Sequence, residues 1–187
     1  MKLTRRNLVA SALLLPAVAR AQTPDPAFRV LEAREGALRL RPEPAATTAV
    51  LGFDGQVPGP LLRVKHGEEL RLRLVNRLAQ PTAIHWHGVR NLNAMDGAPG
   101  LTQPPVAPGA SFDYRFTPPD VGLYWYRASA WPDAAEQKGR GLYGVLIVDE
   151  ADPPSVDHEV LLVLDDWRLD EKGAIAPEFL AAADVTG

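Results

Sequence analysis

The sequence predicts an all-β protein, and three observations carry that expectation. The 18 prolines and 15 glycines lie spread between short apolar runs along 187 residues, which suits a chain of many turns better than a helical bundle. Residues 68–76 alternate, with Leu70, Leu72 and Leu74 on one face and Arg71 and Arg73 on the other, the period of a half-buried strand. Residues 142–148 form a nearly continuous apolar run, as in the middle of a sandwich sheet.

The remaining elements follow in order. Residues 1–21 read as an export signal: Lys2, Arg5 and Arg6 make a charged start, an apolar run follows that is too short to span a bilayer comfortably, and Ala19-Arg20-Ala21 offers small residues at the cleavage spacing. Thr4-Arg5-Arg6-Asn7-Leu8 resembles a twin-arginine signal; an ordinary secretory signal with paired arginines is the other reading. Either places the mature protein in the periplasm or outside the cell. Residues 28–33 and 37–41 flank Glu35-Gly36, which reads as a hairpin. Strands are then expected at 48–53, 61–65 and 82–87 besides 68–76. A long irregular segment with Asp96-Gly97, Pro99-Gly100, Pro104-Pro105 and Pro108-Gly109 spans 88–109; loops of this length are functional or packed by their own side chains. Further strands are expected at 111–117, with Phe112, Tyr114 and Phe116 in register, and at 122–127. The polar residues 131–138 suit a loop or a short helical turn. Residues 149–157, with Pro153-Pro154, read as a linker, and 159–164 as a further apolar strand with no sheet of its own. That strand is expected either to pack on the first domain or to leave an exposed edge.

Composition narrows the function. The hydrophobic share is 46% and the net charge −3, so nothing points to nucleic acid or to an anionic membrane as partner once the signal is cleaved. There is no cysteine. Disulfides, zinc-thiolate sites, thiol catalysis and a blue-copper centre, which needs a thiolate, are all excluded from this chain.

The chemistry concentrates in Thr82-Ala83-Ile84-His85-Trp86-His87-Gly88. Successive side chains of a strand point to opposite faces, so His85 and His87 share one face and Trp86 takes the other. Two neutral imidazoles on a rigid backbone can bind copper, zinc, iron or nickel. Alone, the pattern is equally that of two half-buried structural histidines.

The surrounding motifs narrow this reading. Asp54-Gly55-Gln56-Val57-Pro58-Gly59-Pro60 with Leu62-Arg63-Val64 and Gly67-Glu68, then His85-Trp86-His87-Gly88, then Asp96-Gly97, Thr102-Gln103-Pro104 and Pro108-Gly109, and finally Gly122-Leu123-Tyr124-Trp125-Tyr126 with Gly141-Leu142-Tyr143-Gly144 and Leu146-Ile147-Val148 stand in one order. In that order the chain resembles the multicopper oxidases, the laccase-like copper enzymes. The resemblance implies a cupredoxin-like Greek-key β-sandwich over residues 22–150, the first of two or three such domains. Residues 151–187 would be a linker and the truncated start of a second. It implies that His85 and His87 are ligands of a three-copper cluster, and that Asp96 relays protons near it. A turn aspartate before Gly97 is the other reading of Asp96.

Two departures bear on function. Where the family continues its aromatic strand into a second His-x-His, this chain has Arg127-Ala128-Ser129. Arginine only donates hydrogen bonds and stays charged; at about 4 Å and an effective dielectric near 20 two unit charges interact with roughly 4 kcal/mol. Arg127 would repel copper if it pointed inward, or would leave an open two-histidine site if it swung to solvent. The other two of the four histidines, His66 and His158, read as surface residues, and the chain can hold neither the electron-entry copper nor a whole cluster. The sequence therefore implies an N-terminal copper-binding domain of an oxidoreductase, truncated or split. Its copper site is incomplete, it is inactive alone, and further cupredoxin domains on another chain are its expected partners. The alternatives are a copper-less periplasmic scaffold module and a small copper carrier using His85 and His87, with Met95 nearby.

Overall fold

The structure, a computed structural model, describes residues 27–176. The export-signal reading lies outside the described residues. Eight strands are formed: β1 (Arg29–Leu38), β2 (Thr48–Phe53), β3 (Gly59–Lys65), β4 (Leu70–Asn76), β5 (Ile84–His87), β6 (Ser111–Phe116), β7 (Gly122–Ala128) and β8 (Tyr143–Asp149). Two short helical pieces join them, a 3₁₀ turn over Asn93–Met95 and α1 over Ala134–Gly139. The strands build two four-stranded sheets, one in the order β2-β1-β4-β6 and the other β3-β8-β7-β5. β1 runs parallel to β4 and β3 parallel to β8, while the other neighbours are antiparallel.

The two inner faces meet in one core. Leu31, Phe53, Leu72, Leu74 and Tyr114 come from the first sheet, and Leu62, Trp86, Tyr126 and Leu146 from the second. The alternation seen in the sequence is the cause: Leu70, Leu72 and Leu74 are buried while Arg73 is exposed and pairs with Asp113 on the adjacent β6. Phe116 and Tyr114 enter the core in the same register, with Phe112 packed at its edge.

Three expectations are corrected. Glu35-Gly36 is not a hairpin turn: both residues lie inside β1 and pair with Leu51 and Val50. The glycine serves close approach instead, since a Cβ at Gly36 would sit 2.2 Å from the carbonyl oxygen of Gly55. The chain reverses after β1 through residues 39–47, around Pro42 and Pro44. The motif strand begins at Ile84 rather than Thr82, because Thr82 exchanges both backbone hydrogen bonds with Val106 across the long loop (3.0 and 2.8 Å).

The third correction concerns residues 159–164, which are extended but join no ladder. They lie as a strap over the outer face of the second sheet. Leu161 and Val163 are 37% and 38% exposed, against 76%, 79% and 95% for Val160, Leu162 and Leu164. The period is therefore that of a strand resting one side on a surface. The strap and the sheet enclose a cavity of about 620 Å³ lined by Leu123, Trp125, Tyr143 and Val145. Polar contacts pin it at both ends. Arg63 donates to Asp149 (2.9 Å) and to Glu159 (2.7 Å), and the Tyr143 hydroxyl donates to Asp165 (2.6 Å). Beyond it Arg41 donates to the Asp170 and Glu171 carbonyls, and Thr48 to the Gly173 carbonyl at 2.7 Å.

The Arg63 guanidinium holds the carboxyls of Glu159 and Asp149 below their ordinary range. A depressed carboxyl contributes its stabilisation above its ordinary pKa and loses it as pH falls through the lowered value. The strap should therefore stay docked from neutral pH down to about 5, and loosen below about 4. Cleavage of the strap at its exposed leucines by a protease reads this out. At neutral pH, Glu159→Gln should raise that rate by about fivefold at most, the scale of an exposed ion pair. An unchanged rate would mean that the strap is held by its apolar contacts alone.

Candidate metal centre

β5 is an edge strand whose only ladder partner is β7. Its inward residues hold it in place. Ile84 and Trp86 are fully buried. The Trp86 ring meets Tyr114 at 5.4 Å, Phe116 at 5.0 Å and Tyr126 at 6.0 Å, the first two edge-to-face, an arrangement that favours aromatic pairs beyond their buried area. With Trp86 inside, the period of two sends His85 and His87 out together. Their rings stand 6.0 Å apart, nearly perpendicular at 85°, with His85 half-buried and His87 exposed.

Three neighbours brace the strand from behind. The Tyr114 hydroxyl, kept protonated by burial that pushes its pKa up, accepts the Ile84 N–H at 2.8 Å. Gln137 of α1 accepts from the Thr82 hydroxyl at 2.7 Å and donates to the Pro81 carbonyl at 2.9 Å. Ser129 donates its amide to the Ala83 carbonyl at 3.1 Å. None of these roles was visible in the sequence. Tyr114 read as one more core aromatic, and residues 131–138 as a polar loop or turn. Buried polar pairing across 55 residues leaves no local pattern.

The long loop crosses directly over β5. A Cβ at Gly97 would lie 1.6 Å from the Ile84 carbonyl oxygen, and its φ of +73° is left-handed, so glycine is required there twice over. Ser129 donates its hydroxyl to the Gly97 carbonyl at 2.6 Å, fastening the crossing. This places the Asp96 carbonyl 2.9 Å from His85 Nδ1. A carbonyl only accepts, so Nδ1 carries the proton and Nε2 keeps its lone pair free. That is how protein groups set the tautomer of a ligating imidazole. The Asp96 carboxylate lies further off, 3.7 Å from the same nitrogen.

Arg127 stands directly opposite His85 in the β5–β7 ladder, and Trp125 opposite His87. The His87 and Trp125 rings are 5.0 Å apart. The Arg127 guanidinium lies 5.6 Å from the Trp125 ring centre and donates to the Ala128 carbonyl at 3.1 Å. His66 and His158 are exposed and belong to other parts of the surface. Among the described residues no group of three or more histidine, cysteine, aspartate or glutamate side chains is placed to hold one metal ion.

This geometry can be set beside known proteins. The multicopper oxidase family model matches residues 37–153. The chain belongs to the multicopper oxidase family. It is 36% identical to the iron transport multicopper oxidase FET3 of Gibberella zeae over 184 residues, 94% of this chain and 28% of that protein. It is 38% identical to the multicopper oxidase MmcO of Mycobacterium tuberculosis over 135 residues, 68% of this chain and 26% of that one. Among solved structures, Lac15 from a marine microbial metagenome matches with a TM-score of 0.74 at 44% identity, covering 80% of this chain and 39% of Lac15. A multi-copper oxidase from Pseudomonas parafulva matches with a TM-score of 0.75 at 41% identity, covering 85% and 38%. The chain spans about a quarter of the length of the curated relatives it matches. The fold is thus the cupredoxin-like sandwich of a multicopper oxidase domain. For the family's copper its donor set is partial: two imidazoles suit the ion's preference for nitrogen, and the facing strand offers a guanidinium and a hydroxyl already spent on Gly97.

The bracing predicts a stability effect. Tyr114→Phe leaves the buried Ile84 amide without its acceptor and should cost about 1–3 kcal/mol in urea unfolding. A loss below about 0.5 kcal/mol would mean that the amide finds another partner.

Proposed function

We propose that this chain is the N-terminal copper-binding domain of a multicopper oxidase-type oxidoreductase. It would contribute His85 and His87 to a copper site completed by donors from further cupredoxin domains. The observation that carries this reading is the outward pair itself, with His85 already held in the tautomer that leaves Nε2 free. Copper bound there would supply the electron-accepting chemistry of the family, and this chain's own part is to hold two imidazoles on a rigid edge. Two protein ligands do not make an oxygen-reducing cluster, so turnover would need the other domains. A site for the reducing substrate is not assigned to these residues. Asp96 acts first through its backbone, orienting His85; a proton relay by its carboxylate is a further part of the proposal. The export-type leader supports a location in the periplasm or outside the cell.

A second reading is favoured by one specific observation. Arg127 and Ser129 occupy the positions where the resemblance expects two more ligands, and both are engaged with the protein itself. On that reading the chain is a copper-less periplasmic scaffold or binding module.

Copper titration of the purified protein separates the two. The copper-binding reading expects stoichiometric binding that His85→Ala with His87→Ala abolishes. Binding at background level, or binding unchanged in the double variant, would leave the scaffold.

A further inference from the structure

The patch around the histidine pair carries one fixed charge that copper chemistry would feel. His85, His87, Trp125 and Arg127 occupy the same outer face of adjacent strands, in the pairs His85–Arg127 and His87–Trp125. Directly opposed residues have Cβ atoms about 4.5–5.5 Å apart. The guanidinium is drawn over Trp125, which itself stacks on His87, so the charge sits beside both rings. The hydrogen bond to the Ala128 carbonyl spends donors without neutralising charge.

The acidic groups nearby do not cancel it. The Asp96 carboxylate faces His85 from the side of Nδ1, away from the free Nε2. Asp165 and Asp166 line the cavity beyond Trp125 together with Lys138, and Asp165 accepts from Tyr143. A metal ion on the free nitrogens of the pair would therefore be closer to the guanidinium than to a compensating carboxylate.

We infer that Arg127 makes the His85–His87 pair selective for monovalent over divalent copper. The inference rests on the copper-binding reading above and deepens it. Repulsion scales with the charge of the ion, so Cu(II) is disfavoured twice as strongly as Cu(I). For charges about 6–8 Å apart at effective dielectrics of about 20–40, the extra unit of charge is worth roughly a five- to hundredfold difference in affinity. The ligand set agrees, because two imidazoles can satisfy Cu(I) at low coordination number, whereas a divalent ion wants further donors that the described residues do not place here. The same substitution that removes a ligand of the ancestral cluster thereby changes which oxidation state the remaining pair prefers.

The test measures both ions on the same protein. Cu(I) affinity is taken anaerobically by competition with a chromophoric chelator, and Cu(II) affinity by titration followed with electron paramagnetic resonance. The proteins are the wild type, Arg127→Gln and Arg127→Lys. Arg127→Gln should strengthen Cu(II) binding at least about fivefold more than Cu(I) binding. Arg127→Lys, which keeps the charge, should hold the wild-type ratio. An unchanged ratio in Arg127→Gln overturns the charge effect while leaving the copper site intact. Loss of the ratio in both variants overturns it as well, assigning the effect to guanidinium packing. If the wild type binds neither ion above the His85→Ala, His87→Ala background, the copper-binding reading falls and the selectivity with it.

Discussion

The structure depends on the burial of one side chain, the Trp86 indole, in the shared core of the two sheets. Its contacts with Tyr114, Phe116 and Tyr126 join strands from both layers. Full burial of a residue this large is among the strongest single contributions a core can make. Because a strand alternates, fixing Trp86 inward also fixes what its neighbours do. A register slip of one residue would bring two imidazoles into the core and put an indole in water. Packing energy at one position thus sets the direction of both candidate ligands without any contribution from a metal.

The second layer of control is the loop that crosses β5. It can pass so close only because Gly97 lacks a side chain, and it is held there by Ser129 and by the backbone pairing of Thr82 with Val106. The crossing delivers the Asp96 carbonyl to His85. Core packing therefore chooses the face, and loop packing chooses the tautomer. Behind them, Gln137 satisfies the polar groups at the start of the strand, where an edge segment would otherwise leave buried donors and acceptors unpaired.

Much of this was legible in the chain, for a clear reason. The bounds of β2, the alternation in β4 and the shared face of His85 and His87 all follow from local periodicity. What was not legible depends on groups distant in sequence. Glu35-Gly36 has the composition of a turn, yet the glycine answers to the approach of Gly55 from another element. Residues 159–164 have the composition of a strand, yet every neighbouring edge is already paired or out of reach, so the segment lies across the sheet. Asp96 invited a reading through its carboxylate, and the closer contact to His85 is its main-chain oxygen. A backbone group is available at every position and so leaves no mark in a sequence.

The two residues that replace the expected ligands on β7 differ in kind. Ser129 is taken up by structure: its hydroxyl ties down the loop that orients His85, so a position lost to coordination still serves the geometry of the remaining pair. Arg127 is not absorbed in the same way. Its contacts are a neighbouring carbonyl and an aromatic face, and neither removes its charge. Were the pair held in place by metal, removing two ligands across the ladder would have freed it. Instead each restraint on His85 and His87 (the buried indole, the crossing glycine, the Asp96 carbonyl) is complete without an ion. The pair can therefore outlast the loss of its facing wall, and what that loss alters is the electrostatic setting of the two imidazoles more than their position.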